Sequence, residues 1–266
     1  MARQKGHVKY QGTIGDIRHF KIKGMDGYFA GLKGGPTANQ IKTAPEFERT
    51  RENMSEFGGC AHVAKVLRSG LGRELSKFTD PSFTGRLTAF MKTVNLKDTT
   101  GVRGKRAINV SLHKASLKNI VFKKGVSFES ICNLSVFFTS EGGIVSVSLK
   151  KSLNATEELK APQNATHFRL CFNAVSLPDY RYNNETKAYE PMVAADSGSN
   201  GVVYSEYTPV TTANFDFEHV YSTGSFSYDA GPNKTAILAV GIEFFVANNS
   251  TYLPLSGGAM KIMGVL

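Results

Sequence analysis

Apolar and polar positions alternate through the first forty residues. The run Thr13-Ile14-Gly15-Asp16-Ile17-Arg18-His19-Phe20-Lys21-Ile22-Lys23 leads into Gly24-Met25-Asp26-Gly27 and on to Tyr28-Phe29-Ala30-Gly31-Leu32. Period-two alternation on either side of an Asp-Gly, which supplies positive-φ turn residues, predicts a β-hairpin. A lone two-stranded hairpin is marginal in water, so this charged segment needs something to lean on. The period changes at Thr43-Ala-Pro-Glu46, which reads as a capping box with Pro in the first turn of a helix. Phe47, Thr50, Met54, Phe57, Ala61, Ala64, Leu67 and Leu71 then mark a narrow helical face. Gly58-Gly59 thins that face and permits a neighbouring backbone to approach. A second helix starts near Thr79-Asp80-Pro81 and carries Phe83, Leu87, Phe90, Met91 and Val94 on one face. Ser69-Gly-Leu-Gly72 is the turn between the two, and 99–104 ends the helical region.

Beyond Lys105 the pattern becomes short β-rich runs at the spacing of a sandwich, over 107–112, 127–139, 144–149, 167–175, 202–207, 214–221 and 236–246. Gly142-Gly143 joins the second and third as a hairpin. Clean alternation at 144–149 and 168–172 predicts strands with one face in water. The segment 180–201 is polar and aromatic, and reads as an excursion or long loop. The expected fold class is α+β: a basic N-terminal β-hairpin arm (1–42), a two-helix hairpin (43–104) and an antiparallel β-sandwich (105–266), Ig-like or jelly-roll-like.

Composition narrows the class. With 266 residues, 41% hydrophobic and 11% aromatic, the chain is globular, which excludes disorder and fibrous repeats. No run approaches the roughly 18–20 apolar residues of a membrane helix, and the basic start lacks the apolar core of a signal peptide. A soluble, cytoplasmic protein is expected, or a virion protein if phage-encoded, with no membrane partner. Cys60, Cys132 and Cys171 lie far apart without a CxxC spacing, and read as buried small hydrophobes. Charge is asymmetric: residues 1–126 carry 24 basic and 9 acidic side chains, a net +15, while 127–266 carry 8 and 13, a net −5. Such a chain can hold a polyanion on its basic half, or dock that half on the acidic part of another copy.

Catalytic signatures are missing. The six histidines show no HxxxH, HExxH or HxH spacing, Gly31-Leu-Lys-Gly-Gly35 lacks the phosphate-loop spacing, and no GxSxG elbow occurs. Neither catalytic residues, nor a cofactor, nor a metal is expected, and the chain reads as a non-enzyme. The binding candidates are Arg3, Lys5, Lys9, Arg18, Lys21, Lys23, Tyr28 and Phe29, basic and aromatic side chains that suit contact with a neighbouring subunit or a polyanion. A second set, Tyr180, Tyr182, Tyr189, Tyr204 and Tyr207, would give a rigid platform for a carbohydrate or protein ligand.

Met1-Ala-Arg-Gln-Lys-Gly6, Gly12-Thr-Ile-Gly-Asp16, Asp26-Gly-Tyr28, Lys33-Gly-Gly35, Phe47-Glu-Arg-Thr-Arg-Glu-Asn53 and Glu56-Phe-Gly58 resemble the opening of an uncharacterised family of proteins of this length from Bacteroidota genomes and their phages. Val240-Gly-Ile-Glu-Phe-Phe245 resembles its penultimate strand. The resemblance implies an intracellular or virion-type protein and carries no activity with it. With the weak self-sufficiency of the arm, it leads to the expectation of a non-enzymatic, self-assembling structural subunit. A phage-type capsid, tube or filament component fits, as a homo-oligomer in a ring, tube or lattice held through the arm. The alternatives are a carbohydrate- or protein-binding sandwich, and nucleic-acid binding through the basic half.

Overall fold

Tight turns fold the first forty residues into a four-stranded antiparallel sheet of β1 (Ala2–Arg3), β2 (Gly12–Ile14), β3 (Ile17–Phe20) and β4 (Phe29–Leu32), in the order β1-β4-β3-β2. The computed structural model describes residues 1–141, 144–193, 200–221, 232–249 and 251–266. The alternating run 13–23 is therefore not one strand. Gly15, at φ 58°, supplies the left-handed conformation that turns the chain between Ile14 and Ile17. The β3–β4 pairing is the hairpin expected around Asp26-Gly27.

Helix α1 (Ala38–Thr43) begins in a capping box, but one residue set earlier than expected: the Gln40 N–H donates to Thr37 Oγ1 at 3.2 Å and the Thr37 N–H to Gln40 Oε1 at 2.7 Å. Thr43 Oγ1 instead donates back to the Asn39 carbonyl at 2.9 Å, and a 3₁₀ turn at Pro45–Phe47 leads into α2 (Glu48–Gly70). The buried side of α2 is Glu56, Gly59, Cys60, Val63, Ala64, Leu67 and Gly70, whereas Met54 and Phe57, expected in the core, are exposed. The glycine sets this rotation. A Cβ at Gly59 would lie 2.4 Å from the Tyr189 ring, so only that side of the helix accepts close packing. Helix α3 (Phe83–Leu96) buries Phe83, Leu87, Met91 and Val94 as its spacing predicts.

The remaining strands are β5 (Val136–Glu141), β6 (Ile144–Leu149), β7 (His167–Pro178), β8 (Tyr180–Asn183), β9 (Ala188–Pro191), β10 (Asn200–Tyr204), β11 (Thr208–Pro209), β12 (Glu218–Tyr221), β13 (Lys234–Asn248) and β14 (Thr251–Val265). A one-turn helix, α4 (Ala155–Glu158), precedes β7. Four expected strands are cut back: 107–112 makes a single bridge, Ile108 to Tyr180, before a 3₁₀ segment at Ser111–Asn119, 127–139 is a strand only from Val136, 202–207 ends as a strand at Tyr204, and 214–221 is a strand only from Glu218. The expected Gly142-Gly143 turn and residues 194–199 of the excursion lie outside the described residues; the first part of that excursion is the β8–β9 hairpin.

The chain divides into two compact units, Met1–Arg51 and Glu52–Leu266. In the second, a central antiparallel sheet runs β10-β7-β13-β14, with β11 also pairing β7, and a smaller sheet runs β12-β6-β5. Phe168, Leu170, Phe172 and Ala174 join Leu238, Val240 and Ile242 in a core with Val145 and Val147 of the small sheet. Cys171, Val175, Leu177, Ile237 and Ala239 join Leu67, Leu71, Leu87 and Met91 of the helices in another. The fold is thus α+β, with a sandwich-like pair of sheets and the helical hairpin as a third layer. The 168–172 segment consequently has both faces buried rather than one in water, while β6 keeps the expected wet face. Among the described residues, no helix is long and apolar enough to cross a membrane.

Candidate functional site

Cross-strand register sorts the N-terminal sheet into two unlike faces. Ile14 pairs with Ile17 and Ile17 with Leu32, so these three side chains form one row across β2, β3 and β4. They are 60%, 45% and 83% exposed. Beside them on that face lie Gly12, His19, Ala30 and Ala2. Thr13, Arg18, Gly31, Phe20, Phe29 and Arg3 occupy the other face, and Phe29 is the one buried residue of Met1–Arg51.

Among the basic and aromatic candidates of this unit, Lys21 and Tyr28 meet each other and most of the others have different partners. The Arg18 guanidinium lies 5.4 Å from the Phe20 ring centre and the Lys21 ammonium 5.3 Å from that of Tyr28. Arg3 is 3.7 Å from Asp26 in an exposed pair of little energetic weight. Lys9 donates to the carbonyls of Gln4 and Gly6 and so closes the loop between β1 and β2. Lys5 and Lys23 are exposed. Phe20 and Tyr28 thus already carry cations of the same chain, while Phe29 packs beside Phe20 at 6.3 Å. The aliphatic row was not among the sequence candidates; the Ile-Gly-Asp-Ile string, a two-residue Gly-Asp loop between apolar positions, is the signal that points to it.

The five tyrosines fall into two separate groups. Tyr180 is 1% exposed, edge-on to His62 at 5.6 Å, and is a core residue. Tyr189 lies over Gly59, donates to the Arg106 carbonyl at 3.0 Å and meets Tyr182 edge-on at 5.5 Å. A cavity of about 460 Å³ opens here between Met54, His62, Tyr182, Lys187 and Tyr189. Tyr204 and Tyr207 instead flank Arg169, whose guanidinium carbon is 4.2 and 5.0 Å from their ring centres, and Tyr207 stacks on Tyr252 at 4.0 Å.

Two buried carboxylates stand out, both held by cations. Glu243 Oε2 accepts from Arg169 Nε and Nη2 at 3.1 and 2.6 Å, and Oε1 from Lys77 at 2.8 Å. Glu56 accepts from Lys92 through Oε2 and from the Gly104 N–H at 2.8 Å through Oε1, with Arg106 at 3.7 Å. Burial raises the Glu56 pKa, but the Lys92 and Gly104 hydrogen bonds and the charges of Lys92 and Arg106 outweigh it and hold the group below its ordinary value. Glu56 is thereby held as an ionised anchor between α2, α3 and the loop that follows α3. The three thiols are each pushed up to about 12 by burial and stay protonated at neutral pH. Asp216 accepts from Ser152 Oγ at 2.7 and 2.8 Å, and no metal-ligating cluster occurs among the described residues.

The distinctive exposed feature is therefore the N-terminal sheet, with an aliphatic row on one face and cations on the other. Comparison with protein-family models, with curated proteins and with solved structures finds no match for this chain.

Proposed function

We propose that the chain is a self-assembling structural subunit, of the kind that builds capsids, tubes or filaments, and that its N-terminal sheet makes the contact between copies. One observation carries this reading. Residues 1–51 form four strands and a capped helix yet bury only Phe29, while Val8, Tyr10, Ile14, Ile17, Met25 and Leu32 are exposed. A sheet is stable when one face is covered, and a unit with a single buried side chain gains that cover by association. Charge is compatible with the same reading: residues 1–51 carry 10 basic and 4 acidic side chains and 127–266 a net −5, so the arm of one copy is locally complementary to the acidic part of another, although each whole chain carries +10.

The test is sedimentation velocity on the full chain and on a variant lacking residues 1–35, each checked for folding by circular dichroism. The full chain is expected to form high-mass species, and the deletion to sediment as a folded monomer. A deletion variant that builds the same species would refute the proposal. Raising salt from 0.1 M to 1 M shortens the screening length from about 10 Å to about 3 Å and is expected to weaken the charge-dependent part of assembly.

A further inference from the structure

We infer that the cavity between α2 and the β8–β9 hairpin binds a small organic anion, a carboxylate or phosphate carried on a flat apolar body. The cavity lies wholly within residues 52–266, so its chemistry does not depend on assembly through the arm.

Two residues at this cavity cost the fold stability that no contact among the described residues explains. Gly58 is the first. It sits inside the unbroken helix α2, where glycine is less favourable than any residue except proline. The neighbouring Gly59 is required by the Tyr189 ring, 2.4 Å from where its Cβ would stand, whereas a Cβ at Gly58 would have nothing within 4 Å. Gly58 therefore keeps open a space that any other side chain would enter. Lys187 is the second. Of the four described non-glycine residues with positive φ, three are asparagines, which tolerate the left-handed region, and the fourth is Lys187 at φ 54°. It ends the four-residue turn 184–187 between β8 and β9, a place that glycine or asparagine fills with less strain. Strained positions of this kind gather at ligand sites, and Gly58 and Lys187 line the same cavity.

The walls define the ligand. A volume of about 460 Å³ falls within the range of about 300–1,000 Å³ usual for small-molecule sites. The cross-strand partners Tyr182 and Tyr189 form an aromatic wall, Met54 an apolar edge, and the bare helix surface at Gly58 a floor, which together suit a flat apolar body. The Ser55 hydroxyl, the His62 imidazole, the Tyr182 hydroxyl and the Lys187 ammonium line the cavity without a hydrogen-bond partner among the described residues. All four can donate, and no described residue of the lining is Asp or Glu, so the complement is an anion. Lys105 adds positive charge, its Nζ 5.5 Å from the Tyr182 ring centre. Glu190, beside Tyr189 in sequence, lies on the opposite face of the hairpin and accepts from Asn183 and Thr186 at 2.8 and 2.6 Å.

The experiment measures binding of benzoate, phenyl phosphate and uncharged benzamide to the full-length chain by saturation-transfer NMR at fixed ionic strength, a readout that tolerates high-mass species. Both anions are expected to bind, the tighter of them naming the charged group, and benzamide to bind about fivefold or more weakly. Lys187→Gln is expected to weaken the anions by about fivefold, and Lys114→Gln, at an exposed lysine elsewhere, to leave them unchanged. Gly58→Leu is expected to fill the cavity and abolish binding while melting no lower than wild type, because leucine is the better helix former and meets nothing there. Lys187→Gly is expected to melt higher and bind more weakly, a split that a purely structural lysine would not give. Anions that fail to bind, benzamide that binds as tightly as they do, or a folded Gly58→Leu or Lys187→Gln chain that binds like wild type would each overturn the site. A Lys187→Gly chain that melts below wild type would overturn it as well, by showing that the lysine serves the fold.

Discussion

Replacing Glu56 by Ala removes the acceptor that joins α2 to α3 and to the loop that follows it. Glu56 is 1% exposed, and it neutralises Lys92 and Arg106, whose side chains are 22% and 25% exposed. Stripping a fully buried pair of one partner costs about 3–5 kcal/mol, and the partial exposure of both cations brings the electrostatic share below that range. The Gly104 N–H, buried and 2.8 Å from Oε1, is orphaned as well, at about 1–3 kcal/mol. A net loss of about 3 kcal/mol for Glu56→Ala follows, and about 1–2 kcal/mol for Glu56→Gln, which retains an acceptor for Gly104. In urea at pH 7 and fixed protein concentration, the Ala loss moves the midpoint down by about 1 M for a slope of about 3 kcal/mol/M. The pH dependence has a definite sign. The folded pKa lies below the unfolded value of about 4.3, so the stabilisation is fully present above that pH and is lost as pH falls through the folded value. The gap between wild type and Glu56→Ala is therefore flat from pH 6 to 8 and narrows below about pH 4. An Ala variant within about 0.5 kcal/mol of wild type at pH 7 would show that the cluster contributes nothing and that the reasoning is wrong.

Two further outcomes are expected in the same unit. Gly59→Leu places a side chain where even a Cβ would be 2.4 Å from the Tyr189 ring, so thermal melting should report a loss of about 1–3 kcal/mol, and pairing it with Tyr189→Ala should recover part of it. Cys60, Cys132 and Cys171 should be inert to a thiol reagent in the native state and all three should react in denaturant; fast labelling of any one in the folded chain would contradict its burial.

Hydropathy patterning made most of the large elements legible because it records which faces meet water. It worked on β6, where Val145 and Val147 are buried between partly exposed serines, and on α3, whose apolar face is the packed one. It misled on α2 because the packed face there contains a carboxylate and glycines. The partners that make Glu56 tolerable in the interior are 36 and 48 residues away, at Lys92 and Gly104, and no local window contains them. It also missed β14, where Pro254 and Ser256-Gly-Gly258 interrupt the alternation; only the fifteen-residue β13 beside it makes that stretch a strand. The third layer was hidden for a related reason. β7 and β13 are apolar on both faces, a pattern that fits a buried strand without saying what buries it, and helices on one side with a sheet on the other is a decision of tertiary packing.

The candidate site was less legible, and the reason lies in how far each signal depends on the turns between strands. Counting tyrosines gathered five into one platform, but Tyr180 is sealed in the core by its bridge to Ile108, and Tyr204 and Tyr207 belong to the surroundings of Arg169. In the arm, charge is the loudest feature of the sequence, and Arg3 and Arg18 share one sheet face. The aliphatic row on the other face leaves only the Ile-Gly-Asp-Ile string as a trace in a linear reading. Ile14 and Ile17 are three positions apart, and along an unbroken strand an odd spacing sends them to opposite faces. Only the turn at Gly15-Asp16 makes them cross-strand partners, and only the β3–β4 hairpin brings Leu32, fifteen residues later, into the same row. A surface that exists only once two turns have closed has no periodicity of its own, so composition and charge leave it unmarked.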